Sequence, residues 1–335
     1  MRSNRPTIRD VAARAGVSPS VVSRVCHPKA GDYVSDDART RVQDAVRELG
    51  YHPDTRARYL RNPRTRTIGF YSGHGTLEMD MDFARAIFEG LQAACGDHDQ
   101  DLVIFHGMYS LSVPEIVRKL TSSKVDGVVV HPTADRGDLA AVLAESHKPI
   151  VRLGEPYPGI PSVVAEDWNG GRRMARHLYN RGHRTVVFRR EPTPILSAQR
   201  RYDGFCHAAL QLGMNVRMTT SSDFADTLNA DEEHLIRNFR SEGITAFVGW
   251  RDVSAAQVLR FCAQNHIRVP SDIAVAGFDG LTPEFCPRDM RLTTLAIDWS
   301  RIAETAVEKL LELADHKELP DEIVQPCSLY IGNTT

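Results

Sequence analysis

The sequence predicts two unlike folds in one chain, an all-α helix-turn-helix headpiece followed by an α/β body of two parallel-sheet lobes. Three observations predict it. Charge is split unevenly: residues 1–66 hold 14 Arg and Lys against 7 Asp and Glu, and the remainder holds 27 against 36. The first fifty residues carry three short helical signatures with matching caps. From Thr67 onward, short apolar runs alternate with amphipathic stretches in two rounds, the pattern of parallel sheets covered on both faces. At 335 residues, 42% hydrophobic and 25% charged, the chain can bury cores in more than one domain.

The first helix opens at Thr7-Ile8-Arg9-Asp10, a capping box in which the Thr hydroxyl accepts the Asp10 amide and the carboxylate reaches back. Ile8, Val11, Ala12 and Ala15 share one face, and Gly16 ends the helix. Ser18 caps a second helix and Pro19 takes its first position, where a missing N–H costs nothing. That helix runs to about Cys26 with Val22 and Val25 inward. Ser35 caps a third, with Asp36 and Asp37 at the positive end of its dipole and Gly50 closing it. Its apolar stripe is Ala38, Val42, Ala45, Val46 and Leu49.

A helix, a Gly-containing turn and a second capped helix form a helix-turn-helix. Such hairpins also occur as plain structural units, and a basic segment can be merely solvated. Here the second helix presents Pro19, Ser20, Ser23 and Arg24 within a positive field. An Arg fork matches two acceptors of guanine in the major groove, and small hydroxyls suit phosphate. The residues favour DNA as the partner.

TIRDVAARAGVSPSVVSRV followed by VSDDARTRVQDAVRELGYHPD resembles the headpiece of the LacI/GalR repressor family, over residues 7–70. The resemblance implies a homodimer on a pseudo-palindromic double-stranded operator, with the second helix in the major groove. Pro19, Ser20 and Arg24 match the family's base-contacting positions; Thr7, Ser18 and Ser23 match positions that touch the backbone or cap helices. Three departures stand out. His27 replaces a usual Asn, the loop His27–Tyr33 is about two residues longer than in the lac repressor pattern, and Val21 replaces a usual Thr.

Residues 53–66, PDTRARYLRNPRTR, read as a basic linker in which Asp54 can cap a short helix and Ala57 and Leu60 share a side. Leu60 has no core to enter, and an apolar side chain on such a segment can wedge between base steps in the minor groove. The resemblance implies the same, since Ala57, Arg58 and Leu60 match the family's hinge helix and intercalating leucine.

In the body the predicted strands and helices are Thr67–Tyr71, Phe83–Cys95, Leu102–Phe105, Pro114–Thr121, Val125–His131, Leu139–Ser146 and Ile150–Leu153. A second round gives Gly170–Arg181, Thr185–Phe188, Arg201–Leu212, Leu235–Ser241, Ala246–Trp250, Ala255–His266 and Ile273–Phe278. Segments such as Asp126-Gly127, Glu166-Asp167-W-N-Gly170-Gly171, Arg201-Y-D-Gly204-Phe205 and Gly277-Phe278-Asp279 are similar to the type I periplasmic-binding-protein fold of LacI/GalR effector domains. In that fold the chain crosses between lobes three times, here expected near 165, 295 and 326. The expected organisation is a headpiece at 1–52, a hinge at 53–66, a first lobe at 67–165 and 295–325, and a second lobe at 166–294 and 326–335.

Ligands of such sheets bind beyond the carboxyl ends of the strands. The resemblance implies Tyr71, Asp82, Phe83 and His131 from the first lobe, and Ser197, Arg201, Trp250, Arg251 and Asp279 from the second. Plainer roles exist for several: Phe83 as core, His131 as a strand cap, Arg201 paired with a nearby acid such as Asp203, and Arg251 turned to solvent. The family usually has Asn-Asp where this chain has Trp250-Arg251. A Trp face suits a sugar ring, and a cation there beside Arg201 suits an anion. The expected effector is thus a sugar, sugar acid or sugar phosphate, with a lean to the acidic forms.

Enzyme chemistry is not indicated. Gly73-His74-Gly75 and Gly170-Gly171 match neither a phosphate-binding loop nor a dinucleotide fingerprint, no H-E-x-x-H occurs, and no nucleophile elbow is present. No cofactor or metal is expected. A sugar-binding receptor without a DNA role is the competing class, and salt-sensitive DNA binding separates the two. With no signal peptide, no membrane-length apolar run and six scattered cysteines, the expected location is the bacterial cytoplasm, at the nucleoid through operator binding. No leucine heptad follows Leu329-Tyr330-Ile331, so a dimer is expected over a tail-driven tetramer.

Overall fold

The computed structural model describes residues 6–26, 33–52, 64–73, 82–108, 110–131, 137–192, 195–221, 227–281, 286–287 and 289–335. It divides into two compact units, Met1–Thr65 and Arg66–Thr335. The expected hinge residues Ala57, Arg58 and Leu60 lie outside the described residues, as does His27.

The first unit is helical: α1 (Ile8–Ala15), α2 (Pro19–Cys26) and α3 (Asp36–Leu49). The α1 capping box forms as the sequence dictates. The Asp10 amide donates to Thr7 Oγ1 at 3.4 Å, and the Thr7 amide donates to the Asp10 carboxylate at 2.7 Å. Gly16 and Gly50 follow α1 and α3 at φ 64° and 60°, the left-handed conformation that ends a helix at least cost in glycine. Val11, Ala12, Ala15, Val22, Val42, Ala45 and Tyr51 form the core, too small to tolerate the loss of many of its caps.

The second unit holds two six-stranded sheets. The first has order β11-β5-β4-β3-β1-β2, built from β1 (Thr67–Ser72), β2 (Asp101–Phe105), β3 (Gly127–His131), β4 (Ile150–Leu153), β5 (Ser162–Ala165) and β11 (Glu322–Gln325). The second has order β12-β10-β9-β8-β6-β7, from β6 (Thr185–Arg190), β7 (Asn215–Thr220), β8 (Ala246–Gly249), β9 (Ala274–Asp279), β10 (Thr293–Ile297) and β12 (Cys327–Tyr330). All pairings are parallel except β10 with β12. Helices cover both faces, so continuous apolar strands such as Val128-Val129-Val130 bury every residue. In the first lobe α4 (Asp82–Asp97) and α11 (Trp299–Ala314) share a core with Ile68, Phe70, Val129, Val151 and Leu153. On its other face α5 (Val113–Leu120) and α6 (Gly137–Ala144) pack on Tyr71, Val128, Val130 and Ile150. In the second lobe α7 (Asp167–Asn180) and α8 (Leu196–Gln211) cover one face, and α9 (Ala230–Arg237) and α10 (Asp252–Gln264) the other.

The chain passes between sheets after Ala165, after Ile297 and at Pro326. The crossing expected near 295 lies just after Ile297, because β10 stays in register with β12 as far as Ile297 opposite Cys327. Some helices begin earlier than expected, and one strand gives no sequence signal. The helix expected over Leu235–Ser241 lies at Ala230–Arg237, since Asn229 and Glu232 form a capping box that starts it earlier. The edge strand β7, the mostly polar NVRMTT, carries no apolar run to announce it. Among the described residues no helix is long and apolar enough to cross a membrane, and all six cysteines are free.

Candidate functional site

In the headpiece, α2 places Pro19, Ser20 and Arg24 on its exposed side, Ser23 half-buried, and Val22 in the core. Ser18 is exposed at its start; its carbonyl accepts the amides of Val21 and Val22, and its hydroxyl lies 2.8 Å from that of Ser20. Three other headpiece arginines are paired within the unit: Arg14 with Glu48, Arg41 with Asp37 and Arg47 with Asp44. Among the described residues Arg24 has no acidic partner, so its charge stays available to an anion outside the unit. Thr7 is exposed and engaged in the α1 cap, whose hydrogen bonds to Thr7 hold Asp10 below the usual carboxylate range.

In the second unit the strands of both lobes end in candidate residues. His131 ends β3, Trp250 and Arg251 follow β8, and Asp279 ends β9. Arg201 is the centre of the second lobe's group. It is 3% exposed, donates Nε to Asp167 Oδ1 at 2.7 Å, and donates Nη1 to Asp279 Oδ1 and the Trp250 carbonyl, both at 2.9 Å. Among the described residues Nη2 takes no acceptor. Two glycines make this possible: a Cβ at Gly171 would sit 2.1 Å from the Arg201 carbonyl oxygen, and one at Gly204 would sit 2.0 Å from that of Trp168. Only at that approach of α7 to α8 does Asp167 reach the guanidinium.

Burial raises the Asp167 pKa to about 6 against the pull of Arg201, and Glu155 of the first lobe is near enough to raise it further. Burial also lifts Asp252 well above its ordinary value, with Asp279 adding to it. Asp252 accepts from Thr294 Oγ1 at 2.6 Å and from the Leu281 amide at 2.7 Å. For Arg201, burial works against the charge, but Asp279 and Asp167 outweigh it and hold the group more firmly protonated. Asp279 sits at φ 114°, a strained conformation for a residue with a Cβ, and such strain gathers at binding sites.

The first lobe presents aromatic rings. Phe83 is 5.2 Å from His131 and 4.6 Å, edge to face, from Trp299, centroid to centroid. Tyr71 is not part of this group; it alternates onto the other sheet face and is 3% exposed beneath α5 and α6. Of Asp82 only the backbone is described, as the first residue of α4. The Arg251 guanidinium lies over the Trp250 ring at 4.7 Å. Ser197 bonds through its hydroxyl and amide to Glu155.

Sequence reasoning missed Glu155, Asp167, Asp252 and Trp299. Asp167 stood within a recognised segment, yet its partner lies 34 residues away. Arg201 is not an open fork, and it does not pair with Asp203, which accepts from Gln199. Two carboxylates already face one guanidinium.

A capped helix-turn-helix with an unpaired arginine, joined to a two-lobed α/β receptor, defines a DNA-binding regulator with a ligand-receiving domain. The family of bacterial regulatory proteins called lacI matches residues 7–54, and a periplasmic binding protein-like domain matches residues 175–335. The transcriptional regulator CelR of Thermobifida fusca is 30% identical over 290 residues, covering 84% of each chain. The complex of the transcriptional regulator CelR with cellobiose superposes with TM-score 0.69 at 25% identity, over 99% of this chain and 100% of that one. The Lac repressor dimer bound to operator and the anti-inducer ONPF shares the fold, with TM-score 0.81 at 24% identity over 99% of both chains. This chain belongs to the LacI family and is a transcriptional regulator.

Proposed function

We propose that this regulator is a repressor that binds a pseudo-palindromic operator as a homodimer and is controlled by a neutral sugar held between its lobes. The observation that carries the effector reading is the pairing of Arg201 and Asp279. Fixed 2.9 Å apart, they offer a donor and an acceptor to vicinal hydroxyls, while Phe83 and His131 offer faces for a sugar ring and Trp250, covered by Arg251, packs behind. A sugar acid or phosphate would meet Asp167 and Asp279 together with Arg201, which disfavours the acidic forms. The cellobiose complex of the related CelR supports the same class. We assign Ser197 and Arg251 to the rim and Tyr71 to the packing behind it, and we keep Asp82 as a proposed effector contact.

On DNA, Pro19, Ser20 and Arg24 of α2 read base edges, and Thr7, Ser18 and Ser23 meet the backbone. Ala57, Arg58 and Leu60 form the hinge that enters the minor groove. Ligand changes operator affinity by the ratio of its affinities for the two lobe arrangements. Exposed apolar side chains at each sheet edge, Val103 and Ile104 on β2 and Met218 on β7, suit a second copy of the chain.

Selecting bound fragments from the host genome with full-length protein at near-physiological salt tests this reading. A pseudo-palindrome should be enriched, with affinity falling steeply as salt rises. Arg24→Met should cost about 1–3 kcal/mol and relax the preference at one base pair per half-site. Leu60→Ala should weaken specific binding and spare non-specific binding. Failure to enrich any motif, with or without neutral sugars, sugar acids and sugar phosphates, would refute the operator reading. Tight binding of an acid that is lost in Arg251→Ala would refute the neutral effector.

A further inference from the structure

Helix α8 begins without a cap of its own. Its N-cap residue, Ile195, has no side-chain acceptor to offer the first amides. The acceptor comes from the other lobe: Glu155, just past β4, takes the Leu196 amide on Oε2 at 2.9 Å, the Ser197 amide on Oε1 at 3.2 Å, and the Ser197 hydroxyl. One turn later Arg200 forms a two-pronged pair with Glu322 of β11, both bonds 2.8 Å. The first turn of α8 is therefore fastened to the first lobe at two points, and separating the lobes there must break both.

Three residues before Glu155 stands a cation with the opposite problem. Arg152 on β4 is 7% exposed, and its Nε and Nη1 are buried without a hydrogen-bond partner among the described residues. Its guanidinium lies 5.3 Å from the Tyr157 ring centroid, which offsets only part of the cost of burying it. Burial pulls its pKa down to about 10, with Glu155 close enough to oppose that pull. Between the two residues sits Gly154 at φ 78°, so the turn that carries Glu155 pivots on the residue type least hindered in doing so.

We propose that Glu155 is a two-position latch, capping α8 across the cleft in the arrangement seen here and turning about Gly154 onto Arg152 when the lobes part. Each position satisfies a group that the other leaves unpaired. Together the lobes leave Arg152 short of an acceptor; apart, α8 loses its cap and Arg152 gains a carboxylate. The exchange lowers the cost of separation and gives two discrete arrangements instead of a continuum, the property a ligand-driven switch needs. It operates without any ligand and does not depend on what the effector is.

Hydrogen exchange at the Leu196 and Ser197 amides of the full-length, ligand-free protein, read by mass spectrometry on overlapping peptides, tests the latch. Glu155→Ala should speed exchange there. Arg152→Met removes the competing position, so it should slow exchange at the same amides by at least about threefold, although it touches neither. In the Glu155→Ala background, Arg152→Met should then change nothing at those amides. Unchanged or faster exchange in Arg152→Met, with the rest of the chain exchanging as in the wild type, would overturn the proposal. So would slowing that persists without Glu155, which would mean Arg152 acts through packing. Should the Met variant fail to fold, Arg152→Gln carries the test, with the same direction expected and a smaller effect.

Discussion

The two lobes arrange six strands in the same spatial order, yet they finish those strands with different chemistry. The first lobe ends in rings: Phe83 against His131 and Trp299. The second ends in charges: Arg201 held by Asp167 and Asp279, with Asp252 behind them. The ring contacts are individually weak and need no exact partner, so that surface can yield to a ligand. The ionic group is buried, and each member is fixed by hydrogen bonds, so it orients a ligand and cannot easily move. A repeated fold thus supplies one adaptable surface and one rigid one.

Removing the charge at the centre of the rigid side should have the largest effect. Arg201→Met leaves the buried Asp167 and the part-buried Asp279 without their cation. It should destabilise the second unit by about 3–5 kcal/mol, because an unpaired buried charge costs far more than a pair contributes. Urea unfolding measures this, and a loss below about 1 kcal/mol would show that water already reaches the group. On the adaptable side, Phe83→Ala should lower effector affinity by about 1–2 kcal/mol through lost apolar contact. Its effect on stability should be smaller than that of Arg201→Met, since Phe83 is only half-buried. Calorimetric titration with the identified sugar reads the first effect, and urea unfolding the second. If Phe83→Ala proved the more destabilising of the two, the assignment of rigid and adaptable sides would be reversed.

What the sequence made legible follows the range of each interaction. The Thr7–Asp10 box, Gly16, Ser35 and Gly50 were readable because cap and helix lie within a few residues of each other. The parallel strands were readable from their continuous apolar runs. Arg201 and Asp279 were named as candidates on resemblance, but their mutual bond spans 78 positions and the Arg201–Asp167 bond spans 34. Glu155 carries no local signal at all; its role exists only because α8, some forty residues on, begins with a residue that cannot cap it. The buried pair of Arg189 with Glu232 escaped notice likewise, since charged residues give no periodic signal of burial.

The smallest expected effect distinguishes the lobes by proton rather than by mutation. Asp167 has its pKa raised to about 6 by burial, against an ordinary value of 3.8. The folded protein therefore holds this proton more tightly than the unfolded chain. The resulting stabilisation is complete below pH 3.8 and disappears as pH rises through 6. Between pH 5 and pH 7 the wild type should lose about 1 kcal/mol relative to Asp167→Asn, which cannot titrate there. Asp252 shifts in the same direction but is present in both proteins, so the difference between their urea midpoints isolates Asp167. A difference that stays flat across this range would mean Asp167 is ionised throughout, its pairing with Arg201 outweighing its burial. The rigid side would then carry a fixed charge of one carboxylate in excess at every working pH, and the case for a neutral effector over an acidic one would grow stronger.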